Sequence, residues 1–308
     1  MIGSFGYDHL ELARIIGEPR DPRRPYPLLV EQFCETDTAD PNEYVYYFDV
    51  LQDTDKIYTI TSTGEITPEN VTPDTPALLS FVDIASPEYY VKVTDLAKAK
   101  ERVLGRKKAT INRALNAEEN YVVVSLLNTA AVSEGNLSDL RSGETSFNYR
   151  HLIDMIDQII DKSENYVMAA GSLIDRDIKL WNWVDNKFFD LDTAFKNLGI
   201  TVNRVNQTVT RDGTPTSVLA STVCYLAGTV TEKPGKPLLF VRKRMNEIER
   251  LGGIISESGD SSERLVFVSP NPIRVSSTHY LAVGMTGYEE FASAVTNAGA
   301  IAKFTRTV

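Results

Sequence analysis

Cysteine is scarce in this 308-residue chain, and the two present, Cys34 and Cys224, stand far apart in no metal-binding spacing. With no leader-like segment either, the natural reading is synthesis in a reducing, intracellular compartment. The three histidines, His9, His151 and His279, lie in unrelated contexts with no pair at zinc-ligand spacing. No apolar run approaches the roughly 18 residues of a membrane span. Positive charge is in deficit: 32 Lys and Arg face 42 Asp and Glu, for a net charge of −10. That balance argues against a dedicated nucleic-acid binder, which concentrates positive charge. There is no phosphate-binding glycine loop, no dinucleotide fingerprint and no nucleophile elbow. Gly252-Gly253 reads as a hinge in a charged segment, and Cys224, within TVCYLAG, as a small core residue. Three N-x-S/T triplets, at Asn70, Asn136 and Asn206, carry no weight without secretion. Together these absences favour a structural role over catalysis.

What the chain does have is one long helical stretch, Thr94 to Val132. Thr94 and Asp95 open it with a hydroxyl and a negative charge at the positive end of the dipole. Leu104, Ile111, Leu115, Val122 and Leu126 recur in steps of seven and four, one stripe on a 3.6-residue period. No proline interrupts it. Gly105 weakens it by roughly 1 kcal/mol relative to Ala, so the alternative is two helices broken near Gly105 or Asn116. Unbroken, it is about 60 Å long, too long for one compact core to cover. Its first half is basic and polar, its second nearly all apolar, so the second half enters a domain while the first crosses a surface.

At this length the chain forms two domains or one with large extensions. Residues 1–42 read as extended and irregular: GEPRDPRRPYP crowds prolines and charges together. This is an arm that orders by lying on another subunit, with Leu28, Leu29, Val30 and Phe33 to dock it, or else a disordered tail. Residues 43–93 read as strands: YVYYFDVL, KIYTITST, ALLSFVDI and YYVKV, with GEITPENVTPDTP as the tip of a long hairpin. Such a ribbon is marginal alone in water. An amphipathic helix follows over Asn148–Lys162, then a strand at 166–174 and helices at Asp175–Trp183 and Leu191–Leu198, the last stopped by Gly199. Strands dominate thereafter, with a helix expected from Tyr288 to Asn297 and a last strand AIAKFTRTV. The mixture is α+β.

No catalytic constellation assembles from these residues. Asp154, Asp157 and Asp161 share one side of a helix, where a solvated acidic face is the ordinary reading and a cation site the sharper one. His151 sits beside the apolar stripe of the same helix, in a solvated or hydrogen-bonded role. The basic run KERVLGRKK on the long helix pairs better with acids of a neighbouring subunit than with phosphates, given the acidic total.

The order of segments resembles the major capsid proteins of tailed phages with the Hong Kong 97-type fold. INRALNAEENYVVVSLLNTA (111–130) is similar to that family's spine helix, which carries an Arg-Ala-Leu, then an acidic pair, then an apolar end; Arg113, Glu118 and Glu119 match. The resemblance implies an arm at 1–42, an extended β-hairpin loop at 43–92 and a spine helix at 94–132. A peripheral domain would comprise 93–164 and 246–280, and an axial domain 165–245 and 281–308. It implies a virion shell protein assembled in the host cytoplasm, self-associating as hexamers and pentamers around double-stranded DNA without sequence-specific contact, and with no membrane. No enzyme activity and no cofactor, catalytic residue or metal are implied. Inter-subunit contact candidates are Arg20, Arg23, Arg24, Lys56, Arg102, Arg106, Lys107, Lys108, Arg113, Glu118 and Glu119. The chain opens on the arm with no built-in scaffold, so assembly is expected to use a separate scaffolding protein or none, the first being favoured; a portal is expected, and a decoration protein is left open. Lys56, near a strand turn, is a poor site for the covalent cross-link some family members make. The alternatives are an encapsulin-like nanocompartment shell, a tail or portal-associated component, and an enzyme with an unrecognised acidic site.

Overall fold

The computed structural model describes residues 28–48, 77–181, 195–196, 198–211, 214–231, 235–244, 254–257, 263–268, 273–275 and 280–307. Side chains are described for the same residues except 77, 96–104, 254–257, 265, 267–268, 273–275 and 280.

In chain order, a short helix α1 (Leu29–Phe33) runs into β1 (Cys34–Ala39). β2 (Val45–Phe48), β3 (Ala77–Ser80), β4 (Val82–Ala85) and β5 (Tyr89–Lys92) lead to the long helix α2 (Val93–Glu134). Then come β6 (Leu137–Asp139), α3 (Tyr149–Ile159), β7 (Asn165–Ala170) and α4 (Ser172–Leu180). β8 (Ile200–Arg204), β9 (Thr208–Arg211), β10 (Thr214–Ser217), β11 (Val223–Thr229) and β12 (Leu238–Lys243) follow. The series closes with β13 (Ile254–Glu257), β14 (Arg264–Val268), β15 (Ile273–Val275), β16 (Tyr280–Val295) and β17 (Ile301–Thr305).

Two sheets flank α2. The larger, of eight strands, is organised around the 16-residue β16. β12, β14 and β15 pair in succession along one side of it, and β4 and β5 along the other. β1 adds in parallel beyond β12, with Cys34 opposite Leu238. The smaller sheet has the order β6-β17-β11-β7-β8. β2 and β3 pair antiparallel as the base of the expected hairpin; its other predicted strand, 56–63, and its tip lie outside the described residues.

The helix α2 is continuous through Gly105 and Asn116, which decides between the two readings of that stretch. It begins one residue before Thr94, with Lys92 at the N-cap and no side-chain cap, so Thr94 is not the opener; Asp95 does lie in the first turn. It ends where Gly135 adopts φ 72°, a left-handed conformation that costs glycine little. Ile111 and Leu115 are buried as expected, but beyond them Val123 and Leu127 are the buried residues, while Val122 and Leu126 are only partly covered. Steps of four rotate the buried face by about 40° each on a 3.6-residue period, carrying it from one sheet toward the other. Against β16 the helix comes very close: a Cβ on Gly287 would fall 2.1 Å from Ile111 Cγ2.

The five-stranded sheet is buried on both faces, and β11 shows how. Tyr225 and Ala227 face the later half of α2 together with α1, whereas Cys224 and Leu226 face α3 and α4, the alternation a strand imposes. α3 begins on Asn148, whose side chain accepts from the N–H groups of Arg150 and His151. Gly171 precedes α4 because a Cβ there would meet the Ala220 carbonyl oxygen at 2.3 Å.

Several expectations are corrected. Within 1–42, the described part is neither irregular nor peripheral: Leu29, Val30 and Phe33 are fully buried in this chain's own core, each worth about 1.5–3 kcal/mol. Tyr288–Asn297 is not a helix but the latter part of β16, because strands on both sides supply pairing that outweighs the helix preference of EEFASA. The strand expected at 166–174 stops at Ala170, and α4 starts at Ser172. The sheets also cut across the expected division. β6 and α3 join the five-stranded sheet, while β12 and β16 build the eight-stranded one.

Candidate functional site

The most elaborate polar site lies where α2 crosses the large sheet. Glu119 comes from α2, Arg242 from β12, Arg264 from β14 and Glu289 from β16, and both carboxylates are fully buried. Arg242 donates to Glu119 Oε1 through Nε at 2.8 Å and places Nη2 at 2.7 Å from the same oxygen. Arg264 donates from Nε to Glu289 Oε2 at 2.9 Å and pairs through Nη2 with Glu119. Arg242 Nε also lies 3.3 Å from Glu289 Oε1, and Arg264 reaches the Asn116 side chain. Outward, Arg242 meets Glu263 at 3.7 Å, and Thr38 of β1 donates to Glu263 at 2.9 Å.

Two guanidinium groups thus balance two carboxylates. Burial pushes Glu119 up, but Arg264 and Arg242 outweigh it and hold the carboxyl below its ordinary range. Burial and then the Glu119 charge push Glu289 well above its ordinary value. Such a quartet adds little net stability over apolar packing, yet breaking one member leaves a buried charge without its partner. Its chemistry is that of a registration device: one placement of α2 on three strands brings all its members together.

A second set of bonds joins α1 to α2. The Asn120 side-chain oxygen accepts from the Leu29 N–H at 2.8 Å, and its NH2 donates to Gln207 at 2.7 Å. Beyond it the ribbon base packs Tyr46, Phe48 and Leu79 on the large sheet. Its other face leaves the cross-strand pair Tyr47 and Leu78 exposed at 66% and 61%, while Tyr44, just before β2, lies by the large sheet with Lys243 over its ring at 5.5 Å.

No family model matches the sequence, and no curated protein matches it either. Solved structures do. A structure from Microbacterium phage Oxtober96 superposes with a TM-score of 0.60 at 12% identity, covering 93% of this chain and 92% of that one. One from Mycobacterium phage Bobi gives 0.59 at 11% identity, covering 94% and 93%. The capsid structure of the cyanophage P-SCSP1u gives 0.56 at 10% identity, covering 94% and 90%. The chain has the Hong Kong 97-type capsid fold.

In the terms of that fold, α2 is the spine helix, and the contact candidates can be placed against it. Arg20, Arg23, Arg24 and Lys56 lie outside the described residues, and so does the side chain of Arg102. Arg106 is exposed, and Lys107 sits over the Tyr89 ring at 5.0 Å. Lys108 is fully buried, and that burial lowers its pKa. Arg113 and Glu118 line an open cleft of about 1260 Å³ between β4, the spine helix and β9. There Arg211 reaches Glu118 at 2.6 Å and lies over the Tyr121 ring. Glu119 is engaged wholly inside its own subunit. Asp154 pairs with Arg141, while Asp157 and Asp161 are exposed.

Sequence reasoning missed the quartet because Arg242, Arg264 and Glu289 are far apart in the chain and read singly as surface charges. It also left His151 undecided. This histidine is fully buried: Nδ1 accepts the Asn148 N–H at 3.1 Å, and Nε2 lies 2.7 Å from Glu144 Oε2 and 3.4 Å from the Arg141 backbone nitrogen. Burial lowers its pKa, against the opposing charge of Glu144. A histidine three residues after an asparagine N-cap was the available signal. Cys34 and Cys224 are buried thiols pushed up by that burial. Among the described residues no group of three His, Cys, Asp or Glu could hold a metal ion, and no helix is long and apolar enough to cross a membrane.

Proposed function

We propose that the chain is the major capsid protein of a tailed bacteriophage, assembling through hexamers and pentamers into an icosahedral shell around double-stranded DNA. The ribbon carries this reading. Its base is fixed to the large sheet on one face, while the paired Tyr47 and Leu78 stand in water on the other. Adjacent apolar residues left this exposed mark a surface that another molecule covers, and the fold is shared with a cyanophage capsid structure. In an assembling shell each such contact is small and repeated many times.

An acidic wall suits a DNA container, because tight binding at the wall would hinder packing and release. On this reading a separate scaffolding protein and a portal take part in assembly, and the charges of the spine helix that are not used inside the subunit meet neighbouring copies. Negative-stain microscopy with sedimentation, on the chain alone and beside a candidate scaffold, is the test. Uniform shells or free hexamers and pentamers support the proposal. A monomer under all conditions refutes it, and shells that enclose a protein cargo in place of DNA redirect it to a nanocompartment.

A further inference from the structure

The five-stranded sheet ends in two unlike edges, β6 and β8, four strand spacings or roughly 19 Å apart. On the β6 side, α3 lies against the edge strand: the Gln158 side chain donates to Ser138 Oγ at 3.0 Å. This flank shows water three half-exposed apolar side chains, Leu137, Ile153 and Ile160, beside exposed Asp157 and Asp161. Of the basic groups near it, Arg141 is held by Asp154, Lys162 is folded over Gly299, and exposed Arg150 lies on the Tyr149 ring one turn before Ile153.

On the β8 side, α4 lies against the other edge, with Arg204 of β8 on Asp175 of α4 at 2.7 Å. Here Leu180 and Leu198 are half exposed, and among the described residues the exposed charges are positive: Arg176, Lys179, Lys196 and Arg204. Asp175 is shared between Lys179 and Arg204, and the buried Asp177 lies 3.9 Å from Arg176, so the described residues of this flank set four basic groups against two acids.

We infer that the β6 flank of one copy docks on the β8 flank of the next, apolar residues against apolar and Asp157 and Asp161 facing Arg176 and Lys196. The inference rests on the shell-forming reading and names the surface that closes its rings. One occupant fits because the two flanks complement each other in sign, both carry half-buried apolar side chains, and they stand too far apart to meet within one chain. A contact between two different flanks is head-to-tail, and it closes into a ring when the rotation per copy permits. Charge at its rim sets the register and discriminates against wrong partners.

The test uses two full-length variants. Asp157→Lys with Asp161→Lys makes both flanks positive; Arg176→Glu with Lys196→Glu makes both negative. Each alone should lower the assembled fraction in sedimentation at least tenfold. Mixed one to one, they should assemble again, and only into even-numbered rings, because copies must alternate. Six-membered rings then form and five-membered ones do not. Exposed substitutions of this kind shift stability by about 0.5 kcal/mol or less, which a thermal melt checks. If a reversal lowers the melt, Asp157→Asn with Asp161→Asn and Arg176→Gln with Lys196→Gln replace the pairs, and each should weaken assembly. Variants that assemble as the wild type does, or folded variants whose mixture stays unassembled, overturn the inference. A wild-type chain that never assembles overturns instead the reading it rests on.

Discussion

Replacing Arg264 by Met tests whether the buried quartet fixes the spine helix on its sheet. The substitution keeps much of the apolar stem but withdraws one of two cations from a site holding Glu119 and Glu289, both fully buried. Breaking a buried ion pair by removing one partner costs about 3–5 kcal/mol. Urea unfolding of the purified chain at low concentration should show that loss. Glu289 already stands above the ordinary carboxyl range, so its ionisation costs the folded state stability as pH rises toward its folded pKa. Removing Arg264 raises it further, and the loss should therefore be greater at about pH 8 than at about pH 5. Adding Glu289→Gln removes the charge that Arg264 balanced and should recover about 0.5–3 kcal/mol, the coupling usual within one network. An Arg264→Met subunit within about 1 kcal/mol of wild type, or a double variant that loses the sum of the two singles, would refute the reasoning.

Three other outcomes follow from the same geometry. Gly287→Val should cost about 1–3 kcal/mol or more in urea unfolding, since a Cβ there meets Ile111 at 2.1 Å and separates α2 from β16; an unchanged midpoint would mean the close approach is not needed. His151 is kept neutral with its pKa lowered, so its share of stability is complete above about 6.5, the ordinary histidine value, and fades as pH falls below it. His151→Gln should flatten that slope, and a slope that persists unaltered would place the titration elsewhere. Tyr47→Ser with Leu78→Ser should leave the subunit's melt nearly unchanged, because both are exposed, while lowering the assembled fraction in sedimentation; normal shells would remove the ribbon's exposed face from the proposal.

The sequence revealed what local rules decide. A run without proline and with apolar steps of seven and four gave α2, and Asn148 with the periodic residues Leu152, Ile156 and Ile159 gave α3. β16 was misread in its latter part because Glu289, Glu290 and Ala292 are ordinary helix residues, and only β4, β12 and β14, distant in sequence, make them a strand. The buried site was invisible for the same reason. Glu119 was named as an inter-subunit contact candidate, yet the fold brings Arg242 and Arg264 of the same chain onto it. Lys108 of the basic run was named likewise and is fully covered. Periodicity reports which side of a helix is apolar; it does not report which charges have a partner waiting.

The order of strands in the large sheet also sets when a subunit becomes fit to use. β1, β4 and β5 are made early, but their partners are β12 and β16, which emerge from the ribosome near the end of synthesis. The early strands must therefore stay unpaired for most of translation, and closing such distant pairs is slow. Until residues 280–295 arrive, the face that seats the ribbon base is unfinished, for Ala292 is part of it. A prematurely terminated chain thus has no seat from which to present Tyr47 and Leu78. If the chain assembles as proposed, the sheet's threading leaves only chains synthesised past β16 with a seated ribbon to offer a neighbour.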